Sequence, residues 1–332
     1  MASDQGPIMA GRHHKAILTV AVSSRALFHL ERENEIFEGP GGAAGFNRYM
    51  LDREAEVLDP GSAFPLVRKL LALNADGHKR VDVVLLSRNS PYAGLRVMRS
   101  VREYGLNIER AVFCQGANRF QYASAIGADL FLSVNAADVE TALRNGVAAA
   151  AMLPSKTGER DDDIDDSVRI AFDGDSVLFG SSGDEMYERD GMEAWCSFEV
   201  ANARNPLEGG PFKAVLLKLH EVRASLPVAQ QHRLRMALIT ARSAPAHERA
   251  LLTLKSWGME MDEAVFAAGM PKGPLARAFG ADAFFDDAIR NVESANDCDI
   301  PSGHVPGMKG PTTAPADEPA RSVAAIEDGT SA

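Results

Sequence analysis

Cysteine is scarce in this chain: three in 332 residues, at positions 114, 196 and 298, odd in number and far apart. Without a C-x-x-C pair, a disulfide framework is excluded and ordinary reduced thiols are expected. Long apolar runs are missing as well. No stretch approaches the length a membrane span needs, and the N-terminus has no signal-type hydrophobic segment. Positive charge is in deficit, with 35 Lys+Arg against 46 Asp+Glu and a net charge of −11. That balance excludes nucleic-acid polymers and anionic membrane surfaces as partners, and admits a small phosphate only where local cations offset the field. A cytoplasmic globular protein is expected, with homo-oligomerisation left open.

What the chain does have is a hydrophobic content of 45% and a length beyond the size one core usually serves, so two units are expected. Residues 169–179, RIAFDGDSVLF, are the most informative stretch. The apolar run at 170–172 reads as a buried strand. Asp173-Gly174-Asp175 then sits at the carboxyl end of that strand, where open α/β sheets bind ligands. Gly174 permits a sharp turn that leaves amide N–H groups free to face an anion. Two carboxylates this close repel unless a cation or a shared proton holds them.

Further strands are expected at residues 15–22, 81–86, 111–113 and 129–132, and helices at 63–73, 95–104 and 136–150. Residues 1–14 are polar and read as a disordered N-terminus, 154–168 as an acidic linker. The Pro/Gly/Ala/Ser/Thr-rich stretch 295–332 reads as a disordered tail.

The second half repeats the first. Setting Leu85 on Leu238 and sliding without a gap to residue 134 gives fifteen identities in fifty pairs. They include Gly105/Gly258, Ala111-Val112-Phe113/Ala264-Val265-Phe266, Gly116/Gly269 and Gly127-Ala128-Asp129/Gly280-Ala281-Asp282. With small gaps the match extends upstream, and Val22-Ser23-Ser24-Arg25 meets Phe172-Asp173-Gly174-Asp175. Shared turn glycines over this length imply two copies of one α/β unit.

Four stretches of the second half carry chemistry in order. Asp173-Gly174-Asp175 is the first. Residues 236–239 (MALI) then end in Thr240-Ala241-Arg242-Ser243, Lys272 opens a helix after Pro271, and residues 283–285 end in Asp286-Asp287. These residue types suit phosphoryl transfer. A carboxylate can attack phosphorus, and a second can protonate the leaving oxygen and later activate water. A hydroxyl and an ammonium can hold the transferring oxygens. Several carboxylates together call for a hard cation such as Mg²⁺. Taken singly, each of these residues is an ordinary strand-end, surface or turn residue; only the set identifies a site.

The order D-x-D, Thr, Lys, D-D resembles the four motifs of the haloacid dehalogenase-like (HAD-like) phosphohydrolases. More closely, the chain resembles the cytosolic 5′-nucleotidase type I family. Residues 21–28 (AVSSRALF), 85–91 (LLSRNSP), 170–179 (IAFDGDSVLF), 240–249 (TARSAPAHER) and 284–287 (FFDD) carry the resemblance. It implies two tandem HAD-like Rossmannoid units (three-layer α/β/α) from an internal duplication: a degenerate repeat at 15–153 and a catalytic one at 169–294, each with a small cap insertion. It also implies hydrolysis of purine-type nucleoside monophosphates through an aspartyl-phosphate. Asp173 would be the nucleophile, Asp175 the general acid/base, Thr240 the phosphoryl-oxygen ligand and Lys272 the neutralising cation. Mg²⁺ would be held by Asp173, the Asp175 backbone carbonyl, and Asp286 or Asp287 or both. Gly174 and Ala241 line the same phosphate site.

In this superfamily an insert after the first motif caps the active site, so residues 180–232 are expected to read the leaving group. Tyr187, Trp195 and Phe212 can stack a nucleobase, Asn202 can hydrogen-bond it, and Arg242 and Lys213 are candidate local cations. The first half has Ser23, Arg25, Ser133 and Val134 opposite Asp173, Asp175, Asp286 and Asp287, so it lacks the nucleophile, the acid and the metal ligands. Ser23, Arg25, Ser87, Arg88 and Arg119 still offer phosphate-binding groups. Two readings stand: a non-catalytic regulatory nucleotide site, or, preferred on sequence grounds, a scaffold that packs on the catalytic copy.

Overall fold

The computed structural model describes residues 16–116, 119–154 and 166–307, with backbone only at 182–185, 187 and 188. The expected N-terminal segment 1–14, most of the 154–168 linker and the part of the tail beyond 307 lie outside the described residues.

Ten strands form one sheet: β1 (Leu18–Val22), β2 (Val81–Ser87), β3 (Arg110–Phe113), β4 (Leu130–Ser133), β5 (Ala148–Met152), β6 (Val168–Phe172), β7 (Leu234–Thr240), β8 (Glu263–Phe266), β9 (Ala283–Asp286) and β10 (Ser302–His304). Their order is β3-β2-β1-β4-β5-β10-β9-β6-β7-β8. Every pairing is parallel except β5 with β10. The strands of the first half therefore run opposite to those of the second, and their carboxyl ends emerge at opposite edges of the sheet.

The strands read as continuous apolar runs because both faces are covered. The period of two sends alternate residues to different cores. Val20, Val22, Phe172 and Leu238 face one cluster that spans both halves, and helices Phe64–Ala72, Gly94–Glu103, Lys213–Ser225 and His247–Ser256 pack on it. On the other face, Ala21 and Phe131 meet helices Phe120–Ile126 and Ala136–Arg144. There too, Ala171 and Phe284 meet helices Lys272–Phe279 and Ile289–Asp297. The result is a mixed α/β protein with a large, mostly parallel sheet.

Two strands at the seam differ from expectation. Residues 136–150, read as one helix, break at Arg144, and β5 pairs along β4 with Leu130 opposite Ala148. Alanine favours helix in isolation. Here its small side chain lets β5 lie buried on both faces, and tertiary pairing overrides propensity. Residues 295–307, expected as the start of the tail, are instead folded: helix Ile289–Asp297 leads into β10, which is hydrogen-bonded to β9 and β5. Ile300, Ser302 and Val305 are buried. The halves are also joined by a buried ion pair, Lys69 Nζ to Asp282 Oδ1 at 2.8 Å, and by Arg80 Nε donating to Ser225 Oγ at 3.0 Å.

The stretch 180–232, expected whole as a cap, divides. Helix Lys213–Ser225 buries Val215, Leu216, Leu219 and Val222 and belongs to the sheet layer. The helical segment Ser182–Ala201, interrupted at Gly191 (φ 82°), contributes no described side chain to the cores above.

The seam gives a stability test. A Cβ on Gly303 of β10 would lie 2.8 Å from the Ala150 Cβ and 3.0 Å from the Phe285 ring. Gly303→Val is expected to lower unfolding free energy by roughly 1–3 kcal/mol through overpacking, read from urea midpoints at unchanged m-value.

Candidate active site

Asp173 follows β6 directly, and its backbone N–H donates to the Phe285 oxygen of β9 at 2.8 Å. That bond carries the parallel register past the strand end and sets Asp173 beside Asp286. Beneath them the rings of Phe172, Phe285 and Phe212 pack together, with Phe212 to Phe285 at 5.1 Å and Phe172 to Phe285 at 5.9 Å. Phe212 is fully buried among these rings, so it offers no face to a nucleobase.

Residues 174–178 form one wide turn closed by the Phe179 N–H on the Gly174 oxygen at 2.9 Å. The left-handed backbone falls at Ser176 (φ 62°), not at Gly174. Glycine at 174 answers a different need, since a Cβ there would sit 3.1 Å from the Thr240 Oγ1. Its N–H donates to Asp173 Oδ1 at 2.6 Å. Thr240 ends β7, the neighbour of β6 on the side away from β9, and is buried.

Lys272, the first residue of its helix, is 2% exposed. Its Nζ lies 2.6 Å from Asp173 Oδ1 and 2.8 Å from Asp286 Oδ2. Asp286 also accepts from the Ala288 N–H at 2.8 Å and from Asn291 Nδ2 at 3.0 Å. Burial pushes the Asp173 carboxyl well above the ordinary carboxylate range; Lys272 opposes that push, and the nearby Asp286 and Asp287 add to it. Burial works against the Lys272 charge too, but Asp173 and Asp286 outweigh it and hold the ammonium above its usual pKa. One ammonium among three carboxylates leaves net negative charge in low dielectric. Carboxylate oxygens of Asp173, Asp286 and Asp287 lie within 4.8 Å of one another. This oxygen-only donor set suits a hard divalent cation.

Asp175 faces a second cluster. Arg242 Nε and Nη2 donate to its two oxygens at 2.8 and 2.6 Å, the bidentate geometry that makes guanidinium–carboxylate pairs strong. Arg242 Nη1 donates to Glu199 of the segment Ser182–Ala201, and Arg249 Nη1 donates to the other Glu199 oxygen at 2.8 Å. Burial opposes the Arg242 charge; Asp175 and Glu199 outweigh it and raise its pKa. Arg242, expected as a phosphate cation, is thus occupied by carboxylates, with Trp195 stacked against it at 5.2 Å.

The remaining expectations separate. Lys213 Nζ sits 4.2 Å over the Trp257 ring, a cation–π contact that occupies it. Asn202 donates to the Phe198 oxygen at 2.9 Å and accepts from Asn205 at 2.9 Å, closing its own helix end. Ala241 is exposed beside Thr240. The Tyr187 side chain lies outside the described residues. Sequence reasoning missed Glu199, Arg249, Asn291 and His304, whose Nε2 donates to the Asp287 oxygen at 2.9 Å. Asn291 was discoverable, standing in the first turn of the helix after Asp286-Asp287. A lone Glu199 in an acidic helix gave no signal.

A family model described as 5′-nucleotidase matches residues 10–311. Among curated proteins, cytosolic 5′-nucleotidase 1B from Homo sapiens is 33% identical over 293 residues, covering 85% of this chain and 47% of its own length. The chain thus spans about half the length of that relative. Among solved structures, histidinol dehydrogenase from Elizabethkingia anophelis aligns over 87% of this chain and 53% of its own, at 10% identity and a TM-score of 0.20. A likeness that weak carries no argument.

Glu199 is fully buried between two arginines. Glu199→Gln is expected to cost about 3 kcal/mol of stability, because it leaves buried guanidinium charge uncompensated. The exposed Glu193→Gln should stay within about 0.5 kcal/mol of the parent; paired urea unfolding curves compare the two.

Proposed function

The chain belongs to the 5′-nucleotidase family, and on that premise we propose that it hydrolyses nucleoside 5′-monophosphates to nucleoside and inorganic phosphate. Purine nucleotides such as AMP or IMP are the substrate class proposed, and the cytosol the compartment. The observation that carries this reading is the buried Lys272 bridging Asp173 and Asp286 at the ends of adjacent strands, with Asp287 beside them.

The reaction would proceed in two displacements. An Asp173 carboxylate oxygen attacks phosphorus, the bond to the 5′ oxygen breaks, and Asp175 protonates that oxygen as nucleoside leaves. Asp175 then takes a proton from water, whose oxygen attacks phosphorus, releasing phosphate and restoring Asp173. Thr240 and Lys272 hold the phosphoryl oxygens, and Lys272 offsets their charge through the transition state. Both oxygens of Asp175 are engaged by Arg242, so proton transfer to the substrate requires that pair to loosen. Arg242 is a positioning residue in this reading, tying Asp175 to Glu199 on the outlying helical segment.

Asp173, the Asp175 carbonyl and one or both of Asp286 and Asp287 would hold Mg²⁺. When bound, the ion supplies positive charge that offsets these carboxylates and the transferring phosphoryl group.

We also read the two halves as copies of one HAD-like unit. Paired local features support this. Ser23 N–H donates to the Leu132 oxygen at 2.9 Å as Asp173 N–H does to Phe285 at 2.8 Å, and Thr19 N–H donates to Asp129 as Arg169 N–H does to Asp282, both at 2.8 Å. Gln115 and Ala268 share positive φ, at 47° and 50°. The strand orders β3-β2-β1-β4-β5 and β8-β7-β6-β9-β10 correspond element by element.

A phosphate-release assay across nucleoside monophosphates and sugar phosphates, with Mg²⁺ or with chelator, tests the assignment. Release from nucleotides with Mg²⁺ is expected, with loss in chelator. Preference for sugar phosphates would make the protein a phosphatase of another small phosphomonoester, and no release would leave a nucleotide-binding protein. Asp173→Asn should lower kcat by at least about 10³-fold, in line with removal of a covalent nucleophile. Thr240→Val should lower it roughly 10²-fold through loss of one oxygen ligand.

A further inference from the structure

A cavity of about 430 Å³ opens at the carboxyl ends of β1, β2 and β4. Because β5 and β10 are antiparallel, this edge of the sheet is the one opposite to Asp173. The cavity belongs wholly to the N-terminal half. Ser23, Ser87, Asn89, Arg119 and Ser133 line it, and they stand opposite Asp173, Thr240, Arg242, Lys272 and Asp286 in the repeat. The hydroxyl at the end of the second strand and the cation at the helix start are retained, as Ser87 and Arg119. The nucleophile and the metal-site carboxylate are replaced by serine hydroxyls. The chemistry that binds phosphate is kept, and the chemistry that cleaves it is gone.

Among the described residues, three buried donors around this cavity have no hydrogen-bond partner: Arg25 Nε, Asn89 Nδ2 and Arg119 Nε. A buried donor left unsatisfied forfeits its hydration without replacement, and such groups call for an explanation. Arg119 is 3% exposed, and its other nitrogens donate to the Leu86 oxygen at 3.1 Å and to Asp138. Burial brings its pKa down to about 10 against the attraction of Asp138, so it stays cationic near neutrality. The acids facing the cavity are already engaged. Asp138 is bound by Arg88 and Arg119, and Glu38 accepts from Asn34 at 2.8 Å. Glu31, beside the cavity, pairs with Arg25 at 2.9 Å. Above the polar floor stands an apolar wall of Leu30, Phe37 and Phe46, the two rings edge to face at 6.1 Å. A mere scaffold has no use for open donors beneath an aromatic wall.

We infer that the N-terminal half holds a second small phosphomonoester of nucleotide size, bound through its phosphate at Ser23, Ser87, Asn89, Arg25 and Arg119 and not hydrolysed. The residue correspondence rests on the duplication proposed above; the cavity and its open donors do not. The ring of such a ligand would lie against Phe37 and Phe46. With no carboxylate at 23 or 133, this site needs no metal ion.

Equilibrium dialysis of full-length Asp173→Asn protein against AMP tests the inference, with chelator present and inorganic phosphate as competitor. Ala43 lies exposed on the cavity wall, so Ala43→Trp fills the chamber without touching the core, and Arg25→Gln removes one donor group. Unchanged urea midpoints establish that both variants fold. The expected result is one AMP equivalent that persists in chelator, is displaced by phosphate, is lost in Ala43→Trp, and binds at least about tenfold more weakly in Arg25→Gln. Absence of any equivalent sensitive to these two changes overturns the inference. Failure of Mg²⁺-dependent phosphate release in the parent protein would instead overturn the proposed catalysis, and the dialysis result would stand apart from it.

Discussion

A single buried ammonium holds the candidate site together. Lys272 stands between Asp173 and Asp286 at 2.6 and 2.8 Å, and its charge opposes the burial that pushes the Asp173 carboxyl above the ordinary carboxylate range. The arrangement depends on the sheet beneath. The parallel pairing of β6 with β9 puts Asp173 and Asp286 side by side, and the rings of Phe172, Phe285 and Phe212 pack together in the core next to these strand ends. The helix beginning at Lys272 then delivers the cation between them. One positive charge does not balance three acids, which is why this cluster suits a divalent cation.

The seam between β5 and β10 shapes the rest. Two parallel five-stranded sets meet antiparallel, so one continuous core serves both halves while their carboxyl edges point apart. With its carboxyl edge opposite to Asp173, the first half is poorly placed to close over that residue. It is well placed to keep a ligand site of its own, and any influence of one edge on the other would have to pass through the shared core or through contacts such as Lys69 with Asp282.

Much of this was legible in the chain. The D-x-D, Thr, Lys and D-D stretches sit where alternating strand and helix patterns put them, because strand ends are fixed by hydrophobic runs and the ligand edge follows from topology. The seam strands were not legible. Ala148–Met152 carries a helix-forming composition, and only the neighbours that flatten it into the sheet show otherwise. Ser302–His304 is too short and too close to a Pro/Gly-rich tail to announce itself. Phe212 read as a stacking platform because sequence shows an aromatic ring but not which way it faces. Arg242 read as a free cation because its partner Glu199 lies 43 residues away, a separation no local pattern reports.

The central claim is that phosphate passes through a covalent bond to Asp173 before meeting water. Stereochemistry at phosphorus tests this most directly, using a nucleotide whose phosphate is isotopically chiral. Two successive in-line displacements predict retention of configuration in the released phosphate. Inversion would mean that water attacks the substrate directly, and would contradict the account.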